Sequence, residues 1–171
     1  SENCYVSVFT SALSGTCAGV DTWHYVSYDQ LSQDLLPEKK DVGLIFIETS
    51  WKASQLPYHK QKLALLLSNQ RHFALEMQDA GYPVRYVFSE NEYGEVLAEL
   101  CEELGELTVT KPSELSLRRS IQPLVDTERL RVLEHKGWLT TTEDFIKGAG
   151  QNAPWRICLL YTSPSPRDLA Q

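Results

Sequence analysis

The stretch Tyr58-His59-Lys60-Gln61-Lys62 gathers three basic side chains at the start of a segment with helical apolar spacing, and Arg71-His72 follows in the same segment. Cations at a helix N-terminus oppose the macrodipole, at a cost of roughly a few tenths of a kcal/mol when exposed. His59, Lys60 and Lys62 therefore point to an anionic ligand, a carboxylate partner or a contact between domains, against the plainer alternative of a solvated helix start. Arg71 is spaced to pair with Glu48 or with a neighbouring domain, a structural ion pair before a catalytic one. Asp29 and Glu48 each close an apolar, strand-like run, so either carboxylate can reach a cleft or cap the helix that follows. His24 lies inside such a run and His135 ends one. No residue is assigned a catalytic role.

Three familiar signatures are set aside, one on physical grounds and two because the sequence lacks them. "GAGQNA" (148–153) has the G-x-G-x-x-A form of a dinucleotide fingerprint, but it follows the polar "TEDFIK" and runs into Pro154. That fingerprint must leave a buried strand and open a helix whose N-terminus meets the pyrophosphate, so the stretch reads as a loop. No phosphate-cradling Walker loop and no G-x-S-x-G elbow occur.

The elements that must position these residues follow from periodicity. "TWHYVSY" (22–28) is aromatic and β-branched, and "DVGLIFIET" (41–49) is the continuous apolar run of a strand buried on both faces. Residues 58–81 switch to helical spacing, with Leu63, Leu66, Leu67, Phe73, Ala74 and Met77 on one stripe and Gly81 and Pro83 as the stop. Strands follow at 83–88, 107–110 and 130–135, and helices at 92–105 and 112–129, the latter shortened or kinked by Pro123. Strands alternating with helices predict an α/β fold: a Rossmann-like, doubly wound sheet of about five parallel strands with helices on both faces and right-handed crossovers. Ligands of such sheets bind beyond the carboxyl ends of the strands, where the strand order reverses. The segments facing that crevice are 28–31, 48–58, 89–93 and 111–114.

At 171 residues with 42% apolar and 23% charged content, one soluble domain is the default. The net charge of −7, with acidic residues gathered between Asp79 and Glu106, argues against this segment gripping a phosphate backbone by itself. No apolar run approaches the roughly 18–20 residues of a membrane span, and the first residues lack a secretory pattern, so a cytoplasmic protein with no membrane partner is expected. Cys4, Cys17, Cys101 and Cys158 form no C-x-x-C and no zinc spacing, which fits reduced thiols and no metal site. "CLLYTSPSPRD" (158–168) back-translates through permitted codons into a transposon-end sequencing adapter. The expected organisation is an unassigned segment at 1–20, an α/β domain at 21–156 and a non-native, poorly packed tail at 157–171.

Taken together, "YDQLS" (28–32), "FIETSWKASQLPYHKQKLALLLSNQRHFALEM" (46–77), "GYPVRYVF" (81–88) and "TVTKPSELSLR" (108–118) resemble the N-terminal domain of the photolyase-related family, the bacterial cryptochrome/photolyase branch with an iron–sulfur cluster. The resemblance runs from about Trp23 to Arg156. It implies a five-stranded α/β domain followed by an all-helical domain that holds FAD, a [4Fe–4S] cluster and most of the DNA-binding surface. It implies light-driven repair of ultraviolet pyrimidine lesions, with this segment alone not catalytic and its helical partner domain and DNA contacts lying beyond it. A lumazine-type antenna can sit in the α/β domain of such proteins. Carried over, Asp29 and Gln30 lie beside the antenna, Glu48 is the carboxylate ending the second strand, and Leu66 walls the pocket. Two positions depart from the pattern: Tyr28 replaces the usual glycine, and Lys52, next to Trp51, replaces an acidic residue. Either Tyr28 and Trp51 fill the pocket or it suits another molecule. The alternatives in function are a light-sensing cryptochrome module without repair activity and a generic nucleotide-binding α/β domain.

Overall fold

A computed structural model describes residues 9–13, 19–37, 42–55, 60–137, 143 and 146–147. The chain divides into two compact units, Ser1–His135 and Lys136–Gln171. In the second, residues 143, 146 and 147 are helical. The loop expected at 148–153, the tail expected at 157–171 and His59 lie outside the described residues. Among the described residues, no helix is long and apolar enough to cross a membrane.

The first unit holds five strands, β1 (Thr22–Tyr25), β2 (Val42–Thr49), β3 (Val84–Ser89), β4 (Leu107–Thr110) and β5 (Leu130–Leu133). They form one sheet in the order β3-β2-β1-β4-β5, and each neighbouring pair is parallel. The helices are α1 (Ser50–Gln55), α2 (Lys60–Asp79), α3 (Tyr93–Leu104) and α4 (Leu115–Asp126), with a 3-10 turn at Gln33–Leu35. This is the doubly wound α/β architecture that the alternation of periodicities predicts.

The sheet is covered on both faces because β2 is apolar at every position from Val42 to Ile47 apart from Gly43. Ile45 and Ile47 join Trp23, Tyr25, Val109 and Leu107 in a core under α3 and α4. Leu44 and Phe46 face the other way, against Phe73, Ala74 and Met77 of α2. Burying a side chain such as Phe46 or Leu97 contributes roughly 1.5–3 kcal/mol. Gly81 and Gly105 end α2 and α3 with φ of 93° and 84°, a region that costs other residues strain.

Several boundaries differ from those the sequence predicts. β1 stops at Tyr25, not at residue 28. The backbone turns there: the Gln30 N–H donates to the Ser27 carbonyl at 3.0 Å, and the Ser27 hydroxyl donates to the Asp29 carboxylate. Ser and Asp side chains offer the chain local hydrogen bonds that compete with a ladder. β5 ends at Leu133, before His135. α1, read from the sequence only as part of a ligand-facing segment, is helical. Pro123 lies inside α4, which ends at Asp126.

Candidate functional site

The strand order reverses between β1 and β4, so the crevice of this sheet lies beyond the carboxyl ends of those two strands. The segment after β1 supplies Ser27, Tyr28, Asp29 and Gln30. The segment after β4 supplies Lys111 and Glu114, and α1 brings in Lys52. Gln30, 4% exposed, donates its side-chain amide to the Lys111 carbonyl at 2.7 Å, tying the two loops together. Lys52 forms an ion pair with Glu114. Its ammonium also lies 5.3 Å from the centre of the Tyr28 ring, a cation–π contact. Tyr28 in turn packs against Tyr93 at the start of α3, with centroids 6.1 Å apart. Burial pulls the Lys52 ammonium pKa down, and the nearby Asp29 carboxylate opposes that pull. Glu114 immediately precedes α4, where a carboxylate also complements the helix dipole.

A second polar cluster lies on the α2 face. Arg71 grips Glu48 with two hydrogen bonds, Nε to Oε2 at 2.9 Å and a terminal nitrogen to Oε1 at 2.6 Å. The Tyr86 hydroxyl donates to the same carboxylate at 2.8 Å. Gln70 donates one amide hydrogen to the Ile47 carbonyl at 3.0 Å and lies 3.3 Å from the Tyr86 hydroxyl. The Arg71 guanidinium lies 5.6 Å and 5.8 Å from the Phe9 and Phe88 ring centres. The hydrogen bond to Glu48 raises the Arg71 pKa further, whereas burial first and the Glu48 charge second push the Tyr86 phenol up. Beside this cluster a cleft of 380 Å³ is lined by Phe9, Leu67, Arg71, His72 and Leu75, among others.

The residues singled out from the sequence thus separate into two groups. Asp29, Gln30 and Lys52 meet at the crevice. Glu48 and Arg71 pair with each other on the α2 face, one of the two partners the spacing allows for Arg71. Leu66 is half-buried on α2, while Lys60 and Lys62 are exposed at its start. Tyr93 and Glu114 fall within segments the sequence places at the crevice, though neither is singled out there; Tyr86 and Gln70 are not singled out at all. Gln70 is a polar residue within the helical stripe, a pattern that signals a buried hydrogen bond once the neighbouring positions Phe73, Ala74 and Met77 are recognised as core.

Arg71→Met is expected to cost about 2 kcal/mol, because it leaves a half-buried carboxylate with only the Tyr86 hydroxyl. Adding Glu48→Leu should recover most of that loss, since it removes the stranded charge. Urea unfolding midpoints of the wild type and both variants check this; equal midpoints for the wild type and Arg71→Met would show that the pair contributes nothing.

Among the described residues, no group of three or more His, Cys, Asp or Glu is placed to hold a metal ion. Cys101 is a buried free thiol whose Sγ lies 3.4 Å from the Arg129 carbonyl.

An open parallel sheet with this strand order and a crevice between β1 and β4 defines a doubly wound α/β domain. The family described as deoxyribodipyrimidine photo-lyase-related protein matches residues 24–163, and the chain belongs to that family. It is 33% identical over 101 residues to a (6-4) photolyase of Agrobacterium fabrum, an alignment covering 53% of this chain and 20% of that enzyme. The matched segment thus spans about a fifth of the curated relative.

Proposed function

We propose that this chain is the N-terminal α/β domain of a light-driven flavoprotein that repairs ultraviolet-damaged DNA, the kind of domain that can carry a lumazine-type antenna. The observation that carries the reading is the family match over residues 24–163, which contains β2 to β5 and the helices α1 to α4. The name of the Agrobacterium fabrum relative supports a pyrimidine lesion as the substrate.

On this reading FAD and the [4Fe–4S] cluster sit in an all-helical partner domain, which also binds the DNA. The flavin supplies the electron when bound, and the lesion is flipped out of the duplex to reach it. The net charge of −7 fits a division in which the DNA-gripping surface lies elsewhere. The residues of this chain contribute a rigid sheet and a surface on which the helical domain packs. Leu65 at 62% exposure and Leu115 at 52% are apolar side chains that such a partner could cover. The cell compartment that fits this role is the cytoplasm, where the DNA of a bacterium lies.

The test is the full-length gene product. It should purify with flavin absorbance bands and reverse a (6-4) lesion in an oligonucleotide under blue light, whereas this chain alone should do neither. Absence of flavin from the full-length protein would overturn the proposal. Flavin without repair would transfer the domain to a light-sensing protein.

A further inference from the structure

A lumazine-type antenna needs a crevice with backbone within reach and with hydrogen-bonding groups left over for the ligand. The described polar side chains at the β1/β4 crevice instead already hold partners within the protein, although the exposed Asp29 carboxylate keeps acceptor capacity. Asp29 accepts from Ser27, the Gln30 amide donates to the Lys111 carbonyl at 2.7 Å, and Lys52 is paired with Glu114. The remaining carboxylate expected at the antenna, Glu48, is held by Arg71 and Tyr86 on the α2 face. Among the described residues, the buried polar side-chain atoms without a partner, on Gln78 and Arg118, do not belong to this set. The described residues do not fit the antenna.

What closes the crevice is an ion pair that crosses the switch point and an aromatic contact beside it. Lys52 enters from α1, just after β2, and Glu114 from the loop after β4, so their ion pair bridges loops from two strands that β1 separates. Tyr28 packs beside the pair: its ring centre lies 5.3 Å from the Lys52 ammonium and 6.1 Å from the Tyr93 ring centre. The Lys52 side chain is 16% exposed, so a ligand must both break the pair and displace the tyrosine to enter. Each displaced contact subtracts from the affinity a ligand can reach.

We propose that the Lys52–Glu114 ion pair and the Tyr28–Tyr93 contact form a latch that shuts the switch-point crevice, so that this family member takes no lumazine-type antenna there. The latch also braces the loops after β1, β2 and β4 against one another. This rests on the family membership and on the crevice geometry, not on the repair activity; the flavin bands that test the proposed function are read separately.

The experiment titrates the 171-residue chain with a ribityl-lumazine and follows ligand fluorescence anisotropy. The wild type should show no saturable binding at micromolar ligand. Tyr28→Gly combined with Lys52→Glu removes the ring and turns the ion pair into a repulsion. It should bind at least about tenfold more tightly than the wild type. Tyr28→Gly alone, which keeps the ion pair, should give a smaller gain and carries the test if the double variant does not fold. Saturable one-to-one binding by the wild type would overturn the proposal. Folded variants that bind no better than the wild type would overturn it equally, because the block would then not be made by these side chains.

Discussion

Gly43→Val should lower the stability of this chain by at least about 3 kcal/mol, a large share of the total for a domain of this size. Gly43 in β2 stands directly opposite Trp23 in the parallel pairing with β1. A Cβ at this position would lie 2.5 Å from Cε3, 2.6 Å from Cζ3 and 2.8 Å from Cδ2 of the indole. The ring cannot swing away cheaply. Trp23 is 5% exposed and packed in the core shared with Tyr25, Ile45 and Leu107. Nor can the strands separate, because β1 and β2 are both held between hydrogen-bonded neighbours inside the sheet. Glycine here is thus a space requirement of the tryptophan, not a flexible point. Urea unfolding should show a lower midpoint with an unchanged slope. Gly43→Ala should already lose stability, and Trp23→Leu in the Gly43→Ala background should recover part of it, a coupling expected only of groups in contact. A wild-type midpoint for Gly43→Val would mean that the indole has another place to go.

Acid should weaken the fold through His24. The ring is 1% exposed at the centre of the sheet, and burial lowers its pKa from 6.5 to about 4. Nδ1 lies 2.9 Å from the Thr108 hydroxyl, which is itself 3.2 Å from the Trp23 carbonyl as a donor. Thr108 has one hydrogen to give, so Nδ1 is the protonated nitrogen; Nε2 of the neutral ring lies 3.4 Å from the Thr110 hydroxyl, which donates to the Leu35 carbonyl at 3.3 Å. The direction follows from proton counting. Between pH 6.5 and 4 the unfolded chain binds a proton at His24 that the folded chain refuses. The stability contributed by the neutral ring is complete above pH 6.5 and falls as the pH drops towards 4. The loss across that window is on the order of 3 kcal/mol. Other carboxylates titrate near its lower end, so the measurement is a difference: unfolding free energies of the wild type and His24→Gln at several pH values. The wild type should lose more between neutral and acid pH. Parallel curves would show that His24 is protonated without penalty.

How far the site could be read in advance differs from residue to residue. The carboxylate at the end of β2 was visible as the first polar residue after an apolar run, and Arg71 as a cation in reach of it. Their pairing needed only that Glu48 fall on the same face as Phe46, which the alternation of a strand supplies. Lys52 was visible only as a departure from a family pattern. Its partner, Glu114, lies 62 positions further along the chain and carries no local signal of that role. His24 read as one more strand residue, because its low pKa comes from burial at the centre of the assembled sheet.

What the sequence by itself determined was the alternation of strands and helices, the glycine stops after α2 and α3, and a parallel sheet covered on both faces. These follow from interactions between near neighbours: apolar periods of 2 and 3.6, and backbone conformations that only certain residues adopt freely. What only the tertiary structure decided was which charges meet. The chain crosses from β3 to β4, on the far side of β1, and that crossing brings Glu114 to Lys52, while the two faces of β2 send Glu48 to Arg71. A charge acts over a few ångströms of space, not along the chain, so its partner depends on strand order and sidedness, which are settled when the sheet assembles.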